Sequence, residues 1–446
     1  MSFSAASLYA VLESSVPADA GGLVVALSGG ADSAALLCAV AGIGGGFRGL
    51  PLRAVHIDHG LQAAAVKFRQ ACANLCGQLG IPLEVIRVEV PSDVGLSIEA
   101  AAREARYAAL AAQLQPRECL LTAHHRKDQA ETFLLQALRG AGVKGLSAMP
   151  VCRVFGSGWH VRPVLEVPPG QLLEFGAHLE SCHLADPMNE DLRFDRTYLR
   201  KTIWPPLEAR WPGVETALSR TAHHMAEAQE LLDAAAAQDV ARLRDGDALS
   251  VPGLRALAQP QRVNAVRFWL SEAGVEAPPT ARLVEALRQA FEADSDQQPA
   301  IVWGNRALRR YRQRLFLTEA DCPRIERSHP WAIARGSSVV LGPGLGNLTW
   351  CAQSGGLAAE VLPPVLSVRR REGGEALKPA RAARTQTLQH LCQSHGVLPW
   401  MRDALPLVFA GDELIAVADL WMDARWCAEP DAPGLCIAWN DAPGVT

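Results

Sequence analysis

The sequence is poor in features that mark several common protein classes. It has no apolar stretch of the roughly 18 to 20 residues that a membrane-spanning helix needs, so we expect no membrane association. Its first residues have neither a basic start nor an unbroken apolar run, so we expect no signal peptide and a cytoplasmic location. None of its 11 cysteines forms a CxxC pair, which disfavours a zinc ribbon and favours buried thiols over disulfides.

Lysine and net positive charge are also scarce. Lysine occurs at five positions, so nearly all of the 43 basic residues are arginine, and the formal net charge is −4. This balance disfavours a nucleic-acid partner. Three local clusters (193–201, 306–314 and 368–371) are nevertheless rich in arginine, whose planar guanidinium suits phosphates and bases. For 306–314 two interpretations stay open, a nucleic-acid contact and a solvated helix face.

What is present is the composition and patterning of a folded protein. With 446 residues, 49% of them hydrophobic and 20% charged, the chain is long enough for two or three domains with real cores. Strand and helix patterns alternate through its first part, which predicts an α/β fold with a Rossmann-like parallel sheet and helices on both faces. The predicted strands are 23–28, 52–59, 82–90 and 118–125, and the predicted helices are 31–40, 66–80, 97–115 and 127–140.

The rest of the chain changes character twice. We predict a catalytic domain over 1–215, a mostly helical domain over 216–320 with a short strand-like end, and a small α+β domain over 330–446. The last domain has strand signals at 365–370 and 413–422 around a helix near 385–395. Ligands of parallel α/β sheets bind beyond the carboxyl ends of the strands, and the motifs discussed next lie at those ends.

The segment SGGADS follows the first predicted strand and opens the first predicted helix. It consists of Ser28, Gly29, Gly30, Ala31, Asp32 and Ser33. Glycines let backbone N–H groups approach an anion closely, and the helix N-terminus adds positive potential. The serine hydroxyls can donate to phosphate oxygens, and the aspartate can hold a magnesium ion. The segment predicts a phosphate-binding loop, although it matches neither a Walker loop nor GxGxxG, and a tight turn with a capping side chain is the alternative.

Two further segments carry polar residues at strand ends. In HIDHGLQ (56–62), His56 and His59 are weak metal-ligand candidates, and a polar rim that binds a nucleotide base is the better interpretation of the segment. In AHHRKDQAET (123–132), Asp128 and Glu131 share one helical face beside His124. Two carboxylates near a phosphate site suggest that a cation, such as an incoming ammonium group, lies between them. Favourable placement in the first turn of a helix is the simpler explanation.

The helix pattern EAAAREARY (99–107) has an arginine with two open interpretations. Arg106 lies on the same helical side as Glu99 and Arg103, where the last two form an ordinary pair of residues four apart. Arg106 can either reach a phosphate group or belong to that surface.

The ordered set of these segments resembles the tRNA(Ile)-lysidine synthetases, a branch of the N-type ATP pyrophosphatase (PP-loop) superfamily. The resemblance covers nearly the whole chain. The segments after AHHRKDQAET that carry it are LRGAGVKGLSAMP (138–150), RPVLEV (162–167), DPMNEDLRFDRTYLR (186–200), SVRRREGGEALKP (367–379) and LPWMRDALPLVFAGDELIAVADLW (398–421). One departure from the family pattern is Lys127, which stands where an acidic residue is usual.

The resemblance implies an ATP-dependent ligase. ATP would adenylate the C2 oxygen of the wobble cytidine in an isoleucine tRNA with a CAU anticodon. The amine of free L-lysine would then attack C2 and displace AMP, forming lysidine and changing the codon that is read from AUG to AUA. The partners are then tRNA and lysine, the cofactors ATP and Mg²⁺, and a homodimer stays open as the oligomeric state.

The resemblance also assigns roles to residues of this sequence. The loop residues Ser28 to Ser33 would hold phosphates, with Asp32 as the magnesium ligand. Arg106 would contact the activated nucleotide, and Arg196 and Arg200 would approach the substrate. Catalytic residues around the lysine amine would be His124, Asp128 and Glu131.

Three other functions are compatible with parts of this pattern. A tRNA thiolase of the same superfamily typically has a CxxC motif, which this chain lacks. A glutamine-dependent ligase often has a nucleophilic cysteine after Met1, where this chain has Ser2. A non-catalytic tRNA-binding protein would not need the complete SGGADS loop or the Asp128 and Glu131 pair.

Overall fold

The computed structural model describes residues 3–58, 65–88, 98–176, 191–292, 299–326, 329–332, 337–380 and 382–444. The chain divides into two compact units, Met1–Leu232 and Asp233–Thr446. Across the described ranges, no helix combines the length and apolar character that crossing a bilayer requires.

The first unit is built on one six-stranded sheet. Its strands are β1 (Gly22–Ala26), β2 (Leu52–Asp58), β3 (Leu83–Arg87), β4 (Glu118–Leu121), β5 (Cys152–Phe155) and β6 (Gly158–Val161). The order is β3-β2-β1-β4-β6-β5, and every neighbouring pair is parallel except β5 with β6. The predicted Rossmann-like parallel sheet is confirmed, and the β5–β6 hairpin adds an edge that the irregular sequence after residue 150 did not predict.

Helices connect and cover these strands. They are α1 (Ala5–Ser15), α2 (Ala31–Ala41), α3 (Ala65–Leu79), α4 (Ile98–Gln113), α5 (Arg126–Leu138), α6 (Val143–Leu146), α7 (Pro169–Gly176), α8 (Asp195–Tyr198) and α9 (Trp204–Arg210), with a π-helical turn at Leu199–Ile203. The four helices predicted between residues 31 and 140 correspond to α2, α3, α4 and α5, so these predictions are confirmed. Helix α10 (Val214–Leu243) begins in the first unit and ends in the second.

Alternation along β1 explains why helices cover both faces of the sheet. Leu23 and Val25 are buried in a core that includes α1, α2, α3 and α7. Val24 points to the other face, where it packs with Leu110 and Leu114, the first of which lies in α4. Successive strand residues point to opposite faces, and a fully buried Val or Leu contributes about 1.5–3 kcal/mol. An apolar run without polar alternation is therefore the pattern of a central strand.

The second unit begins with helices packed on an antiparallel sheet. Its first elements are β7 (Arg244–Asp245), β8 (Ala248–Ser250), α11 (Val251–Ala256), α12 (Gln259–Glu272), α13 (Thr280–Glu292), β9 (Ala300–Trp303), β10 (Arg306–Tyr311) and β11 (Arg314–Glu319). The strand order is β7-β8-β11-β10-β9. The helical character predicted for this region is confirmed, and its strand-like end is the hairpin of β10 and β11.

The arginine cluster 306–314 forms this hairpin and not a solvated helix face. Arg309 donates to the carbonyl oxygen of Ala320 at 2.8 Å, and the buried Arg310 donates to that of Ala290 at 2.9 Å. The other arginines of the cluster bind internal oxygens as well, at Glu319, Gln393 and Asp245. The cluster thus uses much of its donor capacity within the fold, which weakens its interpretation as a nucleic-acid contact.

The remainder of the second unit is mainly antiparallel sheet. Its elements are β12 (His329–Ala332), β13 (Ser338–Gly342), β14 (Gly346–Ser354), β15 (Val365–Arg369), β16 (Ala376–Leu377), β17 (Gln386–Thr387), α14 (Leu388–Ser394), β18 (Leu407–Ala410), β19 (Glu413–Val417), β20 (Trp421–Met422) and β21 (Pro433–Asn440). They form sheets ordered β12-β15-β18-β19-β20, β13-β14-β21 and β16-β17. The predicted small α+β character is confirmed, including the strands at 365–370 and 413–422 and the helix near 385–395.

One cysteine pair contradicts the expectation that all cysteines are thiols. Cys351 on β14 and Cys436 on β21 are directly opposite each other and form a disulfide. Their separation of 85 residues hid the pairing from the sequence. Among the described cysteines outside this disulfide, burial raises the pKa of the Cys119 thiol to about 12 and that of Cys76 to about 11.

Candidate active site

The SGGADS loop connects β1 to α2 through a turn that requires glycine. Gly29 has a φ of +85°, and a Cβ at this position would lie 2.8 Å from Cδ1 of Phe68. Gly30 is the N-cap of α2 and provides no side-chain cap. No side chain of Gly30 therefore occupies the first N–H groups of α2, including that of Ala31. An anion site at a helix N-terminus requires such N–H groups.

Two serines hold the loop in shape. The hydroxyl of Ser33 donates to the carbonyl oxygen of Gly30 at 3.0 Å and accepts from the backbone N–H of Ser28 at 3.2 Å. The hydroxyls of Ser28 and Ser33 are 3.1 Å apart. The loop thus has its shape before any ligand binds, which lowers the entropic cost of binding.

Asp32 connects this loop to the start of α5. Its Oδ2 lies 3.8 Å from Nε2 of His125, the N-cap of α5, and 41% of its side chain is exposed. Burial raises the pKa of Asp32, while the neighbouring His125 and Arg200 act in the opposite direction. The contact follows from the topology, because β1 and β4 are parallel neighbours whose carboxyl ends lie side by side.

Asp32 fits a magnesium ion that is shared with a substrate. Within the described part of the chain, no group of three or more histidine, cysteine or acidic residues could enclose a metal. Magnesium typically takes one or two carboxylates and fills its other positions with water and phosphate oxygens. One half-exposed carboxylate beside a phosphate loop suits that mode of binding.

Four charged side chains from α5 and the 195–203 segment form a compact cluster. Glu131 accepts from Nε of Arg196 at 3.0 Å and from Nε of Arg200 at 2.7 Å, and its side chain has no exposed surface. Oδ1 of Asp128 accepts from Nη2 of both arginines, at 3.3 Å and 2.6 Å respectively. The charges balance in pairs, and buried carboxylates of this kind are stable only when so paired.

The cluster sets the protonation of Asp128. Burial alone would raise the pKa of Asp128, but His125, Arg196 and Arg200 together lower it below its usual value. Oδ2 of Asp128 also accepts from the backbone N–H of His125 at 3.0 Å. Asp128 is therefore an anion at neutral pH. We expected a cation between Asp128 and Glu131, and here the two guanidinium groups fill that role.

His124 lies between the end of β4 and the start of α5. Its Nδ1 is 2.8 Å from Oγ1 of Thr122, which is also 2.8 Å from Nε2 of the buried His160. Burial lowers the pKa of His124 to about 3, although the charge of Asp128 acts to raise it. His124 is thus a neutral imidazole near Asp128.

Two other candidates occupy less direct positions. Arg106 stacks its guanidinium over the ring of Tyr107, 5.4 Å from the ring centroid. His56 is buried, and its Nδ1 lies 2.8 Å from the carbonyl oxygen of Leu27, so it supports the end of β1 from inside and does not line an open rim. Positions 59–62 of the same segment lie outside the described residues.

The residue that departs from the family pattern has a partner of its own. Nζ of Lys127 lies 5.2 Å from the ring centroid of Trp204, a geometry that favours cation–π attraction. The ammonium group of Lys127 is thus placed against the aromatic ring of Trp204.

The sequence alone missed several residues of the site. His125 lies in the AHHRKDQAET segment, whose pattern pointed to His124, Asp128 and Glu131 as candidates and not to His125. Thr122 and His160 had no local signal, because their roles arise from a contact between β4 and β6. Arg162 stood in the RPVLEV segment without an assigned role, and its guanidinium lies 3.1 Å from Nδ1 of His160.

Models of known protein families match residues in both units of the chain. A family model described as a PP-loop domain matches residues 4–207, a TilS substrate binding domain matches 249–316, and a TilS substrate C-terminal domain matches 366–439. Among solved structures, a U34-tRNA thiolase from Methanococcus maripaludis aligns with 49% of this chain and 78% of its own, at 15% identity and a TM-score of 0.40.

Three relatives that align with this chain over most of their length are named tRNA(Ile)-lysidine synthase. The protein of that name from Alkalilimnicola ehrlichii is 40% identical, over 94% of this chain and 94% of its own. Those from Coxiella burnetii and Ralstonia nicotianae are 37% and 39% identical, over 93% and 95% of this chain and 92% and 93% of their own. With the PP-loop geometry and the three matching domains, this identity shows that the chain belongs to the tRNA(Ile)-lysidine synthase family.

Proposed function

We propose that this protein joins L-lysine to C2 of the wobble cytidine of an isoleucine tRNA with a CAU anticodon, at the expense of ATP. The observation that carries the proposal is the contact between Asp32 of the phosphate loop and His125 at the start of α5. It brings the nucleotide site to the same edge of the sheet as His125, whose Nδ1 lies 3.6 Å from Oδ2 of Asp128, the carboxylate proposed to receive the amine. The product lysidine would pair with A, so the tRNA would read AUA in place of AUG.

The first step uses the loop from Ser28 to Ser33. The N–H groups at the start of α2 and the Ser28 hydroxyl would bind phosphate oxygens of ATP. The Ser33 hydroxyl would do so by turning its proton away from the carbonyl oxygen of Gly30. Asp32 would hold the magnesium ion, which supplies positive charge to those phosphates when bound. The cytidine C2 oxygen attacks the α-phosphate, the bond to the β-phosphate breaks, and pyrophosphate leaves.

Arginine side chains would stabilise the charge that develops on the phosphates. Arg196 and Arg200 are oriented by Asp128 and Glu131 before substrate binds, which is the preorganisation that makes electrostatic stabilisation effective. Arg106, held against Tyr107, is the proposed contact to the activated nucleotide.

The second step requires a neutral amine. A lysine ε-ammonium has a pKa near 10.4 in water, so it must lose a proton before it attacks C2. Asp128 is anionic and nearly buried, and we propose that it orients the ammonium and accepts this proton, with His124 beside it. Glu131 has no exposed surface, so its contribution to the amine site passes through Arg196 and Arg200.

The second unit would grip the tRNA. Extruding the cytosine from the anticodon loop costs a few kcal/mol, and contacts elsewhere on the tRNA can offset this cost. We propose three domains, 1–215 for catalysis, 216–320 for substrate binding and 330–446 for tRNA binding, in a cytoplasmic enzyme. Gel filtration of the protein with and without tRNA would decide whether it acts as a homodimer.

One assay tests the proposal. The protein is incubated with ATP, magnesium, labelled lysine and bulk tRNA, and we expect lysine to enter tRNA with release of pyrophosphate. In parallel reactions, labelled sulfide or labelled glutamine replaces lysine. These reactions test the thiolase and the glutamine-dependent ligase alternatives. Label that enters tRNA only in those reactions, or no label at all, would rule out lysine ligation.

A further inference from the structure

A chain of buried polar groups leads from the interior of the first unit to His124. Arg162 is 4% exposed and donates to the carbonyl oxygen of Pro150 at 2.7 Å, while its Nη2 lies 3.1 Å from Nδ1 of His160. Nε2 of His160 lies 2.8 Å from Oγ1 of Thr122, which lies 2.8 Å from Nδ1 of His124. Arg162, His160 and Thr122 are all buried, so solvent does not replace these contacts.

In the first hydrogen bond of this chain, between Arg162 and His160, only one of the two residues can be the donor. A guanidinium has donors and no acceptor, so Arg162 donates and Nδ1 of His160 carries no proton. A neutral imidazole has its single proton on the other nitrogen, so Nε2 of His160 donates to the Thr122 hydroxyl. Burial and the charge of Arg162 lower the pKa of His160 to about 2, which agrees with a neutral ring.

The hydroxyl of Thr122 determines which nitrogen of His124 carries the proton, because the same hydroxyl binds His160 and His124. A hydroxyl has one proton to donate, and among the described residues the two imidazoles are the hydrogen-bond partners of Thr122 Oγ1. Since it accepts from His160, its own proton is satisfied only by donation to Nδ1 of His124. If it instead accepted from both rings, the hydroxyl proton would be buried without an acceptor, at a cost of about 1–3 kcal/mol.

We propose that Arg162, His160 and Thr122 hold His124 in the tautomer that carries its proton on Nε2, so that His124 donates a hydrogen bond to an oxygen of the activated nucleotide. His124 is then not the base that takes the proton from lysine. The three residues behind it are positioning residues, because they act on the substrate only through His124. This assignment rests on the proposed function, since it describes the lysine-transfer step.

The tautomer gives the two sides of the site different tasks. In the transfer step Asp128 has already taken one proton from the lysine ammonium. The amine nitrogen then forms a bond to C2 while the bond from C2 to the oxygen of AMP breaks, and the second nitrogen proton leaves with the AMP phosphate. A donor at Nε2 of His124 stabilises negative charge on an oxygen of the departing nucleotide. The charged groups that act on His124 are Asp128, which favours its protonation, and Arg162, Arg196 and Arg103, which oppose it.

The test is nitrogen NMR of the full-length protein with ¹⁵N-labelled histidine at pH 7.5. Long-range proton–nitrogen spectra distinguish a protonated from an unprotonated ring nitrogen, and loss of one set of signals in His124→Asn assigns the residue. We expect His124 to have a protonated Nε2 and an unprotonated Nδ1. Thr122→Val removes the hydroxyl at constant volume and should give a mixture of tautomers, whereas Thr122→Ser should retain the wild-type pattern.

A second variant, His160→Phe, tests the inference if Thr122→Val does not fold. His160→Phe removes the donor to Thr122 and should also mix the tautomers of His124. In either variant we expect kcat for lysine transfer to fall at least about tenfold with little change in KM for ATP, because a fixed donor to developing charge is lost.

The result that overturns the inference is wild-type His124 protonated on Nδ1 or on both nitrogens, or a pattern that neither variant changes. Lysine incorporation by the wild-type protein is measured in parallel. Incorporation together with an Nδ1-protonated His124 rejects the tautomer alone. An Nε2-protonated His124 without incorporation rejects the proposed function and leaves the tautomer in place.

Discussion

Nε of Arg200 donates a 2.7 Å hydrogen bond to Oε1 of Glu131, a carboxylate with no exposed surface. The second oxygen of Glu131 is bound by Arg196, so no ligand can reach this carboxylate without displacing an arginine. Glu131 therefore acts as the anchor of two arginines whose other ends reach Asp128.

Removal of the anchor should destabilise the fold. Glu131→Ala leaves two guanidinium groups with one carboxylate, and breaking a buried ion pair typically costs about 3–5 kcal/mol. We expect urea unfolding to show a loss of this size. The control is Glu227→Ala on α10, which removes an exposed carboxylate that pairs with His223 and His224 and should change stability little. Equal stability of the two variants would contradict the anchoring role.

The same position separates the two chemical steps. With Glu131→Gln, which keeps the shape of the side chain, Asp128 still binds both arginines, so adenylation should continue. Lysine transfer should fall at least about 100-fold, because the charge that orders the amine site is lost. Pyrophosphate release dependent on tRNA and labelled lysine incorporation measure the two steps. Normal lysine transfer in this variant would remove Glu131 from the amine site.

Asp32 should be required for the first step alone. Asp32→Ala removes the proposed magnesium ligand and should abolish pyrophosphate release, while thermal unfolding changes little because the side chain is 41% exposed. Asp19→Ala, which removes another exposed carboxylate that pairs with Arg117, serves as the control and should remain active. Pyrophosphate release by Asp32→Ala at the wild-type rate would disprove the assignment.

The glycine turn should tolerate no side chain. In Gly29→Ala the new Cβ would meet Phe68 at 2.8 Å in a backbone conformation that costs a non-glycine residue about 1–3 kcal/mol. We expect KM for ATP to rise about tenfold or more, as each 1.4 kcal/mol of lost binding is a factor of ten. Gly77→Ala in α3 meets no atom within 4 Å and should leave KM unchanged. An unchanged KM in both variants would show that the turn does not shape the nucleotide site.

Buried neutral histidines should make the protein sensitive to mild acid. The folded pKa values of His124 and His160 are about 3 and 2, below the unfolded value of about 6.5. As pH falls below about 6.5, the unfolded chain binds protons that the folded chain does not, so stability falls by up to about 1.4 kcal/mol per pH unit for each histidine. The carboxylate of Asp128, whose pKa is lowered, adds its loss only below its usual value of 3.8.

Urea unfolding at pH 7.5, 6.0 and 5.0 measures this slope. His160→Phe should reduce the slope, whereas His223→Ala, which removes an exposed histidine, should not. A stability that stays constant between pH 7.5 and 5.0 would mean that both rings accept protons freely in the folded state.

The local parts of the site were predictable from the sequence, and the long-range parts were not. The Gly29–Gly30 turn is marked by adjacent residues, and the apolar runs of β1 and β4 predict buried strands, although not that the two pair with each other. The partners of Glu131 lie 65 and 69 residues further along the chain, and no local pattern connects them. The same is true of Cys351 and Cys436, and of Thr122 with His160, which depend on strand pairing.

The lysine beside Asp128 in the sequence has a consequence for an enzyme that is proposed to use free lysine. Lys127 has the same ammonium group as that substrate and is tethered at a high effective concentration, so it would compete with the substrate for Asp128. The indole of Trp204 retains this ammonium 5.2 Å from its ring centre. We therefore expect the contact with Trp204 to keep Lys127 from competing with the amino acid from solution.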